Sequence, residues 1–455
     1  MNRLFGTDGI RDLAGRGKLT PENILRIGRA VGHLLSGRPE LFSRSGRVWR
    51  RRRPRVLLAQ DTRASGHMIR GAMISSLLAS GCDLIDSGVA PAPVCSFLVR
   101  HFRCDCGVFI SASHNPNEYN GIKFFDRGGF KITRVLEEAV EALVADGPPE
   151  AASIGHYQHR PDALEHYISS VVSWALRRFH LQGRRVVIDC ANGAVTHVAP
   201  EVFSRLGADV HTLHADPDGT NINRGGALFP HKTAREVRRL GADVGFSFDG
   251  DGDRVIPVDE TGAVLDGDFL MAICARYMKR KHRLRANTVV ATVMSNIGLE
   301  RSLAEARIEM VRTKVGDRHV LEEMLETGAV IGGEQSGHII MLDRVHTGDG
   351  IWGALSLLEA MHGERKRLAE LAECMERYPQ VLMNVRVGRR TPFEELPDVQ
   401  DALRRAEEML EGEGRVLLRY SGTEPLARVM VEGACRRTVN KAVRMVAEAV
   451  AASLP

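Results

Sequence analysis

One local pattern of hydrophobic and polar positions occurs three times along the chain: a short β-branched run, a polar turn, an apolar-periodic helix and a second strand. It first reads Arg55-Val-Leu-Leu-Ala, the turn Asp61-Thr-Arg-Ala-Ser-Gly66, a helix to about Ala79 and Asp83-Leu-Ile-Asp. It returns as Val186-Val-Ile-Asp-Cys, Ala191-Asn-Gly, a helix to about Leu206 and Asp209-Val-His-Thr-Leu. The third copy is Val289-Val-Ala-Thr-Val, Ser295-Asn, a helix and Ile308-Glu-Met-Val. This alternation predicts three similar α/β units whose sheets are covered by helices, a class of fold that places ligands in the loops at strand ends. The last stretch predicts a separate α+β domain, with strands at about 381–388, 415–420 and 427–433 and helices near 394–411 and from about 437. The expected domains are therefore 1–158, 159–257, 258–370 and 375–455, with the charged helical segment Glu364-Arg-Lys-Arg-Leu-Ala-Glu-Leu371 as the last connection.

Composition agrees with a multidomain globular protein. The chain has 455 residues, 44% hydrophobic and 26% charged, and single cores stop growing at roughly 250–300 residues. No apolar run approaches the roughly 18 residues that cross a bilayer, and the N-terminal stretch has no apolar signal segment, so a cytoplasmic protein with no membrane partner is expected. The eight cysteines are scattered without a Cys-x-x-Cys pair, which reads as reduced, buried thiols. The net charge of +5 is local, because residues 37–55 hold eight arginines against Glu40 and the rest of the chain is at −2. That run has little aromatic interleaving and reads as a solvated surface insertion, so no nucleic-acid partner is expected.

Four loops carry candidate chemistry. In Ser111-Ala-Ser113-His114-Asn-Pro116 a serine follows an apolar strand on a sharp turn; it is either a nucleophile or phosphoryl carrier, or part of a turn that caps its own backbone. In Asp249-Gly-Asp251-Gly-Asp253-Arg254 three carboxylates alternate with glycines that let them converge. All-oxygen ligands of this kind suit a hard cation such as Mg²⁺. The same spacing with Glu260 imitates a calcium-binding EF-hand loop, but Arg254 occupies the position that needs glycine and the flanks read as strands. Gly332-Gly-Glu334-Gln-Ser336-Gly-His338 offers a carboxylate, a hydroxyl and an imidazole to sugar hydroxyls, or is a turn. Arg419-Tyr-Ser421-Gly422-Thr423-Glu-Pro, with Arg428 beyond, has the composition of an anion nest, or of a hairpin turn.

These loops, in this order and together with Phe5-Gly-Thr-Asp-Gly-Ile-Arg11, resemble the α-D-phosphohexomutase superfamily over essentially the whole chain. Asn120-Gly-Ile-Lys-Phe-Phe125, Arg312-Thr-Lys-Val-Gly-Asp-Arg318 and Gln335 are most similar to its glucosamine-phosphate branch. The resemblance implies three similar α/β domains and a C-terminal domain like the TATA-binding protein fold, around a central cleft. It further implies a phosphorylated Ser113 that exchanges its phosphoryl group with a hexosamine phosphate through a sugar 1,6-bisphosphate, in a monomer or homodimer. By that resemblance Ser113, Asp249, Asp251 and Asp253 hold Mg²⁺, and Lys123 is the first choice for general acid/base with Arg11 and His114 behind it. Arg254, Glu334, Ser336 and His338 then hold the sugar, and Arg419, Ser421, Gly422, Thr423 and Arg428 clamp the non-reacting phosphate. As proton donor and acceptor Lys123 needs a lowered pKa, which burial could give but a nearby phosphate would oppose. Glu334 and Asp317 are the carboxylates expected to favour a C2 ammonium. The rival readings are a phosphomannomutase/phosphoglucomutase, with the same chemistry on another sugar, and a non-enzymatic phosphosugar-binding regulator.

Overall fold

The β-branched runs of the repeated units become central strands buried on both faces, which is why they are apolar throughout instead of alternating. The structure, a computed structural model, describes residues 3–6, 8–44, 46, 53–147, 153–421 and 425–454. The first sheet contains β1 (Ile10–Leu13), β2 (Arg55–Gln60), β3 (Asp83–Val89), β4 (Cys106–Ile110), β5 (Tyr119–Asp126) and β6 (Tyr157–His159) in the order β1-β5-β4-β2-β3-β6. The second has β7 (Arg185–Asp189), β8 (Asp209–Leu213), β9 (Val244–Phe248) and β10 (Val255–Asp259) in the order β10-β9-β7-β8. The third has β11 (Thr288–Thr292), β12 (Glu309–Thr313), β13 (Ile331–Gly333) and β14 (Ile339–Met341) in the order β12-β11-β13-β14. The last, β15 (Gln380–Arg386), β16 (Gly414–Tyr420) and β17 (Leu426–Gly433), is antiparallel in the order β15-β17-β16 and packs against the helices Pro397–Met409 and Arg436–Ser453.

Each of the first three sheets has a parallel centre and an antiparallel hairpin, β4–β5, β9–β10 and β13–β14, which ends the second and third sheets and is covered by β1 in the first. The turns of those three hairpins carry the serine, aspartate and Glu334–His338 loops. One continuous apolar core runs from Leu57 and Phe109 in the first unit through Phe203 and Phe246 in the second to Leu270 and Leu355 in the third. The C-terminal domain has its own core, built around Val399, Val429, Val431 and Val443. Among the described residues no helix is long and apolar enough to cross a membrane.

The structure refines several expectations. The opening stretch is part of the first sheet, since Ile10 pairs with Ile122 of β5 and Arg11 with Gly121. The limits expected at 158 and 257 fall inside β6 and β10, and β10 stays with the second sheet to Asp259. The charged connection is interrupted: the helix Gly350–Glu364 closes on Arg365 in the left-handed region (φ 55°), and a new helix spans Leu368–Ala372. Six cysteines are buried thiols, but Cys374 is half-buried and Cys435 exposed. Residues 45 and 47–52 of the arginine-rich insertion lie outside the described residues. Its described flanks are docked, with Arg44 lying over the Phe130 ring at 4.8 Å and Arg53 donating to the Ile154 carbonyl at 2.8 Å.

Candidate active site

Ser113 follows β4 in the left-handed region (φ 51°), a conformation that costs a non-glycine residue of order 1–3 kcal/mol and persists only where its surroundings enforce it. The enforcing contacts are visible. Its backbone N–H donates to Ser111 Oγ at 2.9 Å, and its carbonyl accepts from Arg63 Nη2 at 3.0 Å and Asn223 Nδ2 at 2.8 Å. Arg63 is fully buried, paired with Asp61, and also donates to the Asn115 carbonyl at 2.7 Å. So held, Ser113 is 2% exposed, and its Oγ donates to Asp249 Oδ2 at 2.9 Å with His114 Nδ1 3.4 Å away.

The β9–β10 turn folds as its composition requires. Gly252 adopts φ 74°, where a Cβ would also meet a Val195 methyl at 2.5 Å. Its N–H and that of Arg254 donate to Asp249 Oδ1 at 3.1 and 3.2 Å. Asp249, Asp251 and Asp253 are buried and offer ligand oxygens within 4.8 Å of one another. Burial, Asp251 and Asp253 together push the Asp249 carboxyl well above the usual carboxylate range. Asp251 Oδ1 and Asp253 Oδ1 are buried and accept no hydrogen bond. Oxygen-only donors with orphaned lone pairs fit a hard divalent cation.

Lys123 on β5 reaches this cluster from the first unit. Its Nζ is 2.9 Å from Asp251, 2.9 Å from Asp8 and 3.6 Å from Asp253. The expected lowering of its pKa is reversed: burial acts downward, but Asp251, Asp8 and Asp253 outweigh it and hold the ammonium above its ordinary range. Arg11 donates to Asp8 at 2.6 Å and to Asn115 Oδ1 at 3.1 Å. Burial, with Arg254 and Arg11 close by, lowers the His114 pKa to about 4, so its imidazole is neutral near pH 7.

The sugar loop is tied to the metal loop by the backbone, Val255 N–H donating to the Gly337 carbonyl at 3.1 Å. Glu334 accepts from the Gly316 N–H at 3.0 Å and from Ser336 Oγ at 3.4 Å. His338 is buried with Nδ1 3.6 Å from Asp253 and Nε2 3.7 Å from Asp317. Burial lowers its pKa, but Asp253 and Asp317 outweigh it and the net shift is upward. Asp317 is not open to a ligand amine, because it is paired with Lys131, which also binds Asp8. In the C-terminal sheet Arg419 lies opposite Arg428 in register. Arg419 has a buried Nε without a partner, and burial together with Arg428 lowers its pKa. Ser421 is buried, its carbonyl accepting from Arg390 Nη2 at 2.6 Å; Gly422 and Thr423 lie outside the described residues.

Sequence reasoning therefore located the groups that converge, Ser113, the three aspartates, Lys123 and His338, and missed the groups that hold them. Arg63, Asn223, Lys131 and Arg390 stand in stretches whose local pattern is that of ordinary turns, and Asp8 sits in the opening stretch, where only Arg11 was singled out. Nothing local distinguishes Arg63 from its basic neighbours Arg55 and Arg70.

A strained serine beside three buried aspartates, on three fused α/β units with a fourth domain, defines a class. Residues 2–150, 165–262 and 266–378 match phosphoglucomutase/phosphomannomutase alpha/beta/alpha domains I, II and III, and 382–449 match the C-terminal domain of the same family. The chain belongs to the phosphoglucomutase/phosphomannomutase family. It is 44% identical over 456 residues to a phosphoglucosamine mutase of Syntrophus aciditrophicus, covering 99% of each chain. The fold is shared with a phosphoglucomutase/phosphomannomutase family protein from Burkholderia thailandensis, at a TM-score of 0.81 and 24% identity, covering 99% of this chain and 97% of that one. It is also shared with an Aspergillus fumigatus N-acetylphosphoglucosamine mutase solved with GlcNAc-6P and magnesium, at a TM-score of 0.67 and 17% identity, covering 99% and 96%.

Removing a buried arginine leaves its carboxylate partner uncompensated. Arg63→Met should therefore lower unfolding free energy by about 3–5 kcal/mol in urea titrations; a loss of under about 1 kcal/mol, within the range of an exposed pair, would mean that the Arg63–Asp61 pair is not what fixes the serine turn.

Proposed function

We propose that this chain is a phosphoglucosamine mutase, interconverting glucosamine 6-phosphate and glucosamine 1-phosphate through phosphorylated Ser113 and a glucosamine 1,6-bisphosphate. The observation that carries the reading is the strained, enclosed Ser113 with its hydroxyl directed at Asp249 and the orphaned oxygens of Asp251 and Asp253 close by. A structural turn has no need to hold a serine in that conformation.

In this reading Asp249, Asp251 and Asp253 would hold Mg²⁺ together with an oxygen of the Ser113 phosphoryl group. The ion supplies positive charge against the roughly −1.5 to −2 of a phosphoserine. Ser113 donates its phosphoryl group to the free sugar hydroxyl, the bisphosphate turns over, and the opposite phosphate returns to Ser113. Lys123, held protonated by its carboxylate neighbours, is suited to stabilise charge at the centre and not to exchange its proton. Neutral His114, with Nδ1 beside Ser113 Oγ, is suited to pass the sugar hydroxyl's proton to that oxygen as the P–O bond breaks. Arg254, Ser336 and Glu334 face the sugar, and Glu334 is the carboxylate of the sugar loop that remains for a C2 ammonium, given the pairing of Asp317 with Lys131. Arg419, Ser421 and Arg428, with Gly422 and Thr423, clamp the non-reacting phosphate. Catalysis is then mostly positioning and charge stabilisation. A cytoplasmic location and a hexosamine phosphate as the small-molecule partner follow from this activity.

Ser113→Ala should abolish turnover and remove an acid-stable phosphate from the protein; mass spectrometry that places the phosphate on another residue would refute the assignment. Chelation with EDTA should stop turnover and Mg²⁺ restore it, whereas full activity in rigorously metal-free buffer would contradict the metal site. Glucosamine phosphate should be used with kcat/KM at least about tenfold above glucose or mannose phosphate, roughly 1.4 kcal/mol in transition-state binding. Equal efficiency on mannose or glucose phosphate would make the chain a phosphomannomutase/phosphoglucomutase with the same serine and metal site.

A further inference from the structure

The junction between the first and third units contains an ionic connection that neither the metal loop nor the phosphate clamp requires. Lys131, eight residues beyond Lys123 and bridged to Phe125 at the end of β5, places its ammonium between Asp8 of the first unit and Asp317 of the third. The other Asp8 oxygen is 2.9 Å from Lys123 Nζ. Asp317 is 3.7 Å from His338, whose second nitrogen is 3.6 Å from Asp253, and Asp253 is 3.6 Å from Lys123. The connection is thus a closed ring, Lys123–Asp8–Lys131–Asp317–His338–Asp253, in which basic and acidic groups alternate. Further contacts brace the same junction: Arg318 donates to Glu137 at 3.2 Å, His346 Nδ1 lies 2.6 Å from the Gly128 carbonyl, and the His346 ring stacks on Phe130 at 4.0 Å.

We propose that Lys131 is a positioning residue for phosphoryl transfer, holding Lys123 and His338 at the reacting centre by pairing with Asp8 and Asp317 across the junction of the two units. The inference rests on the mutase reading above. Without the Lys131 ammonium, Asp8 turns fully to Lys123 and Arg11, Asp317 turns to His338, and two carboxylates of different units face each other unshielded. Both displacements fall on groups that contact Asp251 or Asp253, and neither falls on Arg419 or Arg428 of the clamp. Loss of Lys131 should therefore act on kcat and spare KM.

The test uses the full-length, phosphorylated, magnesium-loaded protein with glucosamine 6-phosphate, and compares Lys131→Met, Lys131→Arg and Asp317→Asn with wild type. Lys131→Met should lower kcat at least about tenfold with KM within about threefold, and Lys131→Arg should return kcat to within about threefold of wild type. Amide hydrogen exchange should accelerate over 126–137 and 317–327 in Lys131→Met and not in Lys131→Arg. The proposal is overturned by kcat within about twofold of wild type in Lys131→Met, or by Lys131→Arg being equally impaired; unchanged exchange across the junction overturns it as well. If Lys131→Met does not fold, Asp317→Asn carries the test, with a fall in kcat expected and full kcat overturning it. A wild-type protein inactive on all hexose phosphates would defeat the mutase reading, while the exchange comparison still judges the brace by itself.

Discussion

The constraint on which the site depends is the repulsion among carboxylates kept out of water. Asp249, Asp251 and Asp253 are at most 4% exposed, with ligand oxygens within 4.8 Å of one another. Two like charges about 4 Å apart repel by about 4 kcal/mol at an effective dielectric of 20. Lys123 brings one positive charge to Asp251 and Asp253, and with His338 and Arg254 it holds the Asp253 carboxyl well below its usual range, while burial, Asp251 and Asp253 push that of Asp249 well above it. The shortage of positive charge falls at Asp249. A phosphate on Ser113, whose Oγ already touches Asp249, deepens that deficit. The residues present at this point fit a divalent cation.

Holding such a cluster demands a stiff frame. The serine, aspartate and Glu334–His338 loops each close an antiparallel hairpin of a different sheet, and the three units share one continuous apolar core. Backbone bonds then fix loop to loop, as between Val255 and Gly337. The strain at Ser113 is sustained by the same frame, because Arg63 comes from the first unit and Asn223 from the second, and both close on one carbonyl.

What the sequence made legible follows from this division. Repeated strand-turn-helix patterns disclosed the α/β units because buried parallel strands must be apolar throughout, and the glycine-spaced aspartates disclosed the convergent carboxylate cluster because the intervening glycines let the backbone curl. The supporting ion pairs were not legible. Asp8 and Lys131 are 123 residues apart and Lys131 and Asp317 are 186 apart, so no local periodicity connects them, and each alone resembles a surface charge. The direction of the Lys123 shift was missed for the same reason: burial of a lysine in an apolar strand lowers its pKa, and only the assembled carboxylates reverse it.

The C-terminal domain stands apart from this stiffness in a way the chemistry needs. Its core is separate from that of the other three domains, and its contacts to the third unit include polar ones, Arg415 donating to the Val293 and Ser295 carbonyls at 2.8 Å and Gln380 to the Met294 carbonyl at 3.0 Å. In the proposed mechanism a bisphosphate would have to be gripped at one phosphate, released enough to turn, and gripped again at the other, while the serine and aspartate loops stay fixed. Net hydrogen-bond contributions are about 1 kcal/mol each, whereas opening the shared apolar core would expose many buried side chains at about 25 cal/mol per Å². Adjustment is therefore cheapest at the C-terminal domain, and rigidity is concentrated around Ser113 and the three aspartates.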